Sequence, residues 1–183
     1  MYDQNHLLGR LRAASLGREA EVFAHLPGGG TIRFGALFAG AERMAAALTA
    51  SGVAPGDRVA AQVPKTVQAI ELYLGTVLAG AVFLPLNSAY TDAELAYFLG
   101  DATPAVVVCD PARSKGIAAI AGTARVLTLD AEGQGSLRDL AEAQGGFAAA
   151  PRGRDDLAAI LYTSGTTGRS KGAMLSHGNL ASN

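Results

Sequence analysis

Ten consecutive residues, Thr163-Ser164-Gly165-Thr166-Thr167-Gly168-Arg169-Ser170-Lys171-Gly172, hold three glycines, five hydroxyls and two cations. Glycines let the backbone turn its amides toward one point, hydroxyls add donors, and a lysine supplies a mobile positive charge. That combination suits a polyphosphate. The plain alternative is a solvated Gly/Ser/Thr loop between two strands. Against it stand five hydroxyls and a Lys-Gly pair placed directly after the apolar run Leu157-Ala158-Ala159-Ile160-Leu161-Tyr162, which reads as a buried strand. A Walker-type loop needs Gly-Lys followed by Ser or Thr at the mouth of a helix. Here Lys171 precedes Gly172 and leads into Ala173-Met174-Leu175, a strand-like run, so the order excludes that motif.

Other residues with chemical potential are scattered. His177 follows the strand-like run and reads more readily as a capping or packing residue than as a nucleotide contact. His6 and His25 have no spaced partner and read as surface residues. Asp155-Asp156 beside Arg152 and Arg154 reads as a solvated charge cluster rather than a metal site. Cys109, the single cysteine, lies in an apolar run and is expected to be buried and inert; it excludes an internal disulfide and every multi-cysteine zinc pattern. Fifteen Lys and Arg balance 16 Asp and Glu over 183 residues, so no charge footprint for nucleic acid or an anionic membrane exists. Neither a secretory signal nor an uninterrupted apolar run of about 20 residues is present, and a cytoplasmic protein is expected.

The elements that must position the loop follow from periodicity. Apolar residues recur at helical spacing from Leu37 to Leu48, predicting a helix over 34–51 that Gly52 stops. Ahead of it, 21–24 and 31–34 flank Pro27-Gly28-Gly29-Gly30 as a short hairpin would. Pro55-Gly56-Asp57 turns into a strand over 58–63. A helix over 65–79 is expected to bury Val67, Ile70, Leu74, Val77 and Leu78, and a strand over 81–84 ends at Pro85. Thr91 and Glu94 form a capping box that starts a helix ending at Gly100. Strands over 105–109 and 125–129 enclose a helix over 112–121. Residues 132–154 read as a surface connection carrying a weak helix, 136–143. Alternating strands and helices argue for an α/β domain with a largely parallel sheet covered by helices.

On these residues the chain resembles the adenylate-forming superfamily of acyl-CoA synthetases, luciferases and peptide-synthetase adenylation domains. The phosphate-loop signature spans Tyr162 to Gly172 and continues into Ser176-His177-Gly178-Asn179-Leu180; Ser170 departs from it, since most members carry proline there. Residues 52–60 and 79–87 resemble two further turn-strand units of the family, so the similarity covers about residues 30–183. Leu86-Asn87-Ser88-Ala89-Tyr90-Thr91 is closer to acyl-CoA synthetases than to peptide-synthetase domains. Residues 107–111, 116–120 and 169–177 look most like bacterial malonyl-CoA synthetases.

The resemblance implies that a carboxylate such as malonate joins ATP, giving an acyl-adenylate and pyrophosphate, and that coenzyme A then displaces AMP. It further implies that Thr163, Ser164, Gly165, Thr166, Thr167, Gly168 and Lys171 contact phosphate, while Arg169 faces solvent. Relatives are several hundred residues longer. Their adenine, ribose and carboxylate pockets, Mg2+ ligands and catalytic lysine lie downstream, so residues 1–183 correspond to the N-terminal part of the large AMP-binding domain. The expectation is an N-terminal piece of a synthetase, inactive alone and prone to self-association through exposed apolar surface. A stand-alone nucleotide- or phosphate-binding module is the alternative.

Overall fold

In a computed structural model that describes residues 2–163 and 170–182, helix α1 (His6–Ala14) opens the chain. No helix is read there from periodicity; its start is set by Asn5, whose buried side chain accepts from the Leu8 amide and donates to the Val77 and Ala150 carbonyls. The hairpin β1 (Val22–Leu26) and β2 (Gly30–Arg33) follows. Next come α2 (Phe34–Ala50), β3 (Arg58–Gln62), α3 (Val67–Leu78), β4 (Val82–Pro85), α4 (Asp92–Ala102) and β5 (Val106–Cys109). The chain continues with α5 (Ser114–Ile120), β6 (Arg125–Thr128), α6 (Ser136–Glu142), β7 (Leu157–Thr163), β8 (Lys171–Ser176) and α7 (His177–Ala181).

Six strands form one sheet in the order β6-β5-β3-β4-β7-β8, parallel throughout except for β8, which runs antiparallel to β7 at the edge. Strand β5 is apolar and buried along its length and β3 is buried from Val59 to Gln62, because helices cover both faces. Side chains alternate across the sheet with period two. Val59, Ala61, Val106 and Val108 pack against Met44 and Leu48 of α2, Leu72 of α3 and Leu137 of α6. Ala60, Leu84, Val107 and Cys109 pack against Leu95 and Phe98 of α4 and Ile117 of α5. A third cluster joins Leu7 and Leu8 of α1 to Phe38 and Leu74. Gly75 allows α3 to touch α2, since a Cβ there would lie 2.8 Å from the Ala41 carbonyl oxygen.

Several details depart from the periodicity reading. Ile70 is exposed, while Val67, Leu74, Val77 and Leu78 are buried as expected. Helix α4 continues through Gly100 to Ala102, because Leu99 and Ala102 remain in the core and the left-handed residue that ends it is Thr103, at φ 43°. The helix over 112–121 divides into a 3-10 turn, Pro111–Arg113, and α5, because the Asp110 side chain caps the Ala112 amide. Residues 132–154 are more than a surface connection: α6 buries Leu137 and Ala141 in the core beside α2. Among the described residues no helix is long and apolar enough to cross a membrane.

Candidate functional site

Strand β7 is buried at Ala158 and Ala159, where it lies beside β4 through the pair Phe83↔Ala159. Parallel to β4, it delivers Thr163 to the carboxyl end of the sheet, and β8 returns antiparallel in the register Tyr162↔Gly172 and Thr163↔Lys171. Both Thr163 and Lys171 are exposed. Ser164, Gly165, Thr166, Thr167, Gly168 and Arg169 lie outside the described residues. Gly172 is required by close approach: a Cβ there would sit 2.9 Å from Cγ2 of Ile160 on the neighbouring strand.

Both flanks of this segment touch α4. The Tyr162 hydroxyl donates to the Asp101 carboxylate, and burial together with that carboxylate pushes the phenol pKa well above its usual value, so it remains a neutral donor. The Tyr97 hydroxyl donates to the Ser170 carbonyl at 3.1 Å. The Tyr162 ring stacks beside Phe98 with centroids 4.4 Å apart.

Sheet order adds a second feature. From β3 the chain turns to α3 on one face, and from β4 to α4 on the other, so β3 and β4 form a topological switch point, where ligands bind beyond the carboxyl ends of open α/β sheets. A cleft of about 260 Å3 opens there, lined by Val63, Lys65, Pro85, Leu86, Asn87 and Ser88. Because β7 neighbours β4 and runs parallel to it, the exits of residues 163 and 171 share this rim. Sequence periodicity marks Lys65 only as the start of a helix; its place on this rim follows from strand order, which periodicity does not reveal.

The remaining candidates separate from the site. Six residues of extended chain, about 20 Å, carry β8 from Lys171 to Ser176 opposite Leu157, so His177 lies at the far end of the sheet. It is fully buried, its Nδ1 accepting from the Leu7 amide at 3.4 Å, and burial lowers its pKa to about 4. It joins α7 to α1 and is a packing residue. His25 is exposed and His6 half-buried. The Asp156 carboxylate accepts from the Gly153 amide at 2.7 Å, closing a turn. Cys109 is buried, its thiol pushed up to about 11 by burial and the neighbouring Asp110. Among the described residues no three His, Cys, Asp or Glu side chains are gathered together.

Residues 12–183 match the family described as AMP-binding enzyme. A feruloyl-CoA synthase from Amycolatopsis is 37% identical over 173 residues, covering 94% of this chain and 33% of that protein. Among solved structures, apo and ATP-bound MatB from Rhodopseudomonas palustris are 53% identical with a TM-score of 0.92, covering 98% of this chain and 36% of theirs. A benzoate CoA ligase from Burkholderia xenovorans LB400 is 25% identical with a TM-score of 0.80, covering 94% of this chain and 34% of that one. The chain thus spans about a third of the length of these relatives.

Proposed function

Since this chain belongs to the AMP-binding enzyme family, we propose that it is the N-terminal portion of an ATP-dependent acyl-CoA synthetase acting on a small carboxylic acid such as malonate. The observation that carries the reading is the strand-loop-strand unit itself: Thr163 and Lys171 paired at the carboxyl end of a parallel sheet, bracketing a Gly/Ser/Thr sequence. In such an enzyme the substrate carboxylate oxygen bonds to the α-phosphorus of ATP as the bond to pyrophosphate breaks. The thiol of coenzyme A then attacks the acyl carbon and AMP leaves. This chain's part is to hold the β and γ phosphates while charge grows on the departing pyrophosphate. The hydroxyls of Thr163, Ser164, Thr166 and Thr167, the amides of Gly165 and Gly168, and the Lys171 ammonium serve as donors, with no covalent role.

Two observations support a malonate-like acid. The resemblance of 107–111, 116–120 and 169–177 to malonyl-CoA synthetases is one, and an identity to MatB twice that to the benzoate CoA ligase is the other. A cytoplasmic location accompanies the use of ATP and coenzyme A. On this reading the 183-residue chain alone is inactive.

Pyrophosphate release tests both parts. The polypeptide of the whole reading frame, given ATP, magnesium, coenzyme A and malonate, is expected to release pyrophosphate and form the thioester; activity with benzoate or ferulate but not malonate overturns the substrate class. The 183-residue chain alone is expected to stay at the level of its Lys171→Ala variant, and turnover above that overturns the fragment reading.

A further inference from the structure

Helix α4 is anchored independently of the segment it flanks. At its start, the Thr91 hydroxyl accepts from the Glu94 amide at 3.3 Å and the Glu94 carboxylate accepts from the Thr91 amide at 2.8 Å. Asp92 pairs with Arg113. At its end, the Arg58 guanidinium, entering from β3, donates to the Ala102 carbonyl at 2.7 Å and to the Thr103 carbonyl at 2.8 Å. Those are carbonyls the last turn leaves without helical partners, and a cation is favourable at the negative end of the helix dipole. The inner face buries Leu95, Phe98, Leu99 and Ala102.

On the outer face, Tyr97 and Asp101 stand one helical turn apart and reach the chain on either side of residues 164–169. Asp101 receives the hydroxyl of Tyr162, the penultimate residue of β7, and Tyr97 donates to the carbonyl of Ser170, the residue before β8. One anchored helix therefore fixes the chain on both sides of residues 164–169.

We propose that Tyr97 and Asp101 are positioning residues for polyphosphate binding, setting the spacing of the two flanks from which the phosphate-contacting groups extend. This rests on the phosphate-binding reading above. Neither residue touches the nucleotide; both act through Tyr162 and Ser170. Charge separates this role from a direct one. A carboxylate beside an anion site repels the ligand, so a purely electrostatic Asp101 would make every neutral replacement tighten binding. A positioning Asp101 makes Asn, which keeps an acceptor for Tyr162, behave like the original residue and makes Ala weaken binding.

The test is an ATP titration followed by NMR on the 183-residue chain, with amide hydrogen exchange at Ser170 and Lys171 measured in parallel. Tyr97 and Asp101 are exposed, so Tyr97→Phe, Asp101→Asn and Asp101→Ala should retain the fold. Tyr97→Phe and Asp101→Ala are each expected to weaken ATP about three- to tenfold, the equivalent of one net hydrogen bond. Asp101→Asn is expected to restore binding to within about twofold of the original, and Tyr162→Phe should add nothing once Asp101 is Ala. Exchange at Ser170 and Lys171 should accelerate in Tyr97→Phe. ATP affinity unchanged in Tyr97→Phe and Asp101→Ala, with binding still lost in Lys171→Ala, overturns the proposal and leaves the phosphate site standing. Tighter binding in both Asp101 variants also overturns it. If the unaltered chain binds no ATP, the phosphate reading falls, and unchanged exchange at Ser170 in Tyr97→Phe then removes the clamp as well.

Discussion

Thr163 and Lys171 face each other across the antiparallel ladder of β7 and β8, so a hydroxyl and an ammonium stand at the two exits of the same segment. The pairing fixes where the cation sits relative to the strand end without fixing the side chain, which is exposed. A charge-assisted hydrogen bond contributes about 1.5–3 kcal/mol. Lys171→Ala should therefore weaken ATP at least about tenfold from an expected millimolar affinity. Calorimetry at two salt concentrations checks this: affinity should fall with salt in the original chain and lose most of that dependence in the variant.

Glycines in helices divide by what surrounds them. At Gly75 an added Cβ would meet the Ala41 carbonyl oxygen at 2.8 Å and the Ala45 amide nitrogen at 3.0 Å, both backbone atoms of α2 that cannot rotate away. Gly75→Ala should cost about 1–3 kcal/mol by forcing α2 and α3 apart. At Gly116 in α5 nothing lies within 4 Å, so Gly116→Ala should stabilise by about 0.5–1 kcal/mol through helix propensity. Opposite shifts of the urea midpoint are the expected result, and equal signs refute the packing account.

Much of this division was legible beforehand. The strand before the loop, the capping box at Thr91 and Glu94 and the glycine-turn hairpin are local signals, and each appears where its residues placed it. What stayed hidden depends on partners distant in sequence. Helix α4 outruns Gly100 because Arg58, more than 40 residues earlier, caps Ala102 and Thr103. Helix α1 forms on a buried Asn5 that binds carbonyls of residues 77 and 150. The antiparallel turn of β8, the place of Lys65 on the rim and the hold of Tyr97 on Ser170 are likewise products of topology.

His177 makes stability depend on pH in a defined window. Burial lowers its folded-state pKa to about 4, against a usual value near 6.5; Asp156 opposes the shift, while Arg152 and His6 reinforce it. The unfolded chain thus binds the proton first. Stability from the neutral, buried imidazole is complete above about pH 6.5 and declines as pH falls toward 4, by up to about 3 kcal/mol. Urea midpoints measured from pH 7.5 to 4.5 should fall for the original chain and fall less for His177→Gln. Parallel curves would show that another group governs the acid limb.

The last expectation concerns the sheet edge. Strand β8 is paired only with β7, and its outer backbone groups have no strand beside them among the described residues. Edges of this kind are protected in stable monomers by charge, proline or a bulge. Here the strand reads Lys171-Gly172-Ala173-Met174-Leu175-Ser176, with charge only at its first residue and Met174 69% exposed at its centre. Leu161, 38% exposed on β7, pairs with Ala173 and so lies on the opposite face of the hairpin from Met174. We expect the 183-residue chain by itself to pair through this edge at tens of micromolar, and Met174→Lys to shift it toward monomer by placing a solvated charge in the middle of the contact. Light scattering over a dilution series decides the matter: a concentration-independent monomer mass for the unaltered chain would mean that β8 is tolerated as an open edge, and that Met174 alone is too small a patch to drive association.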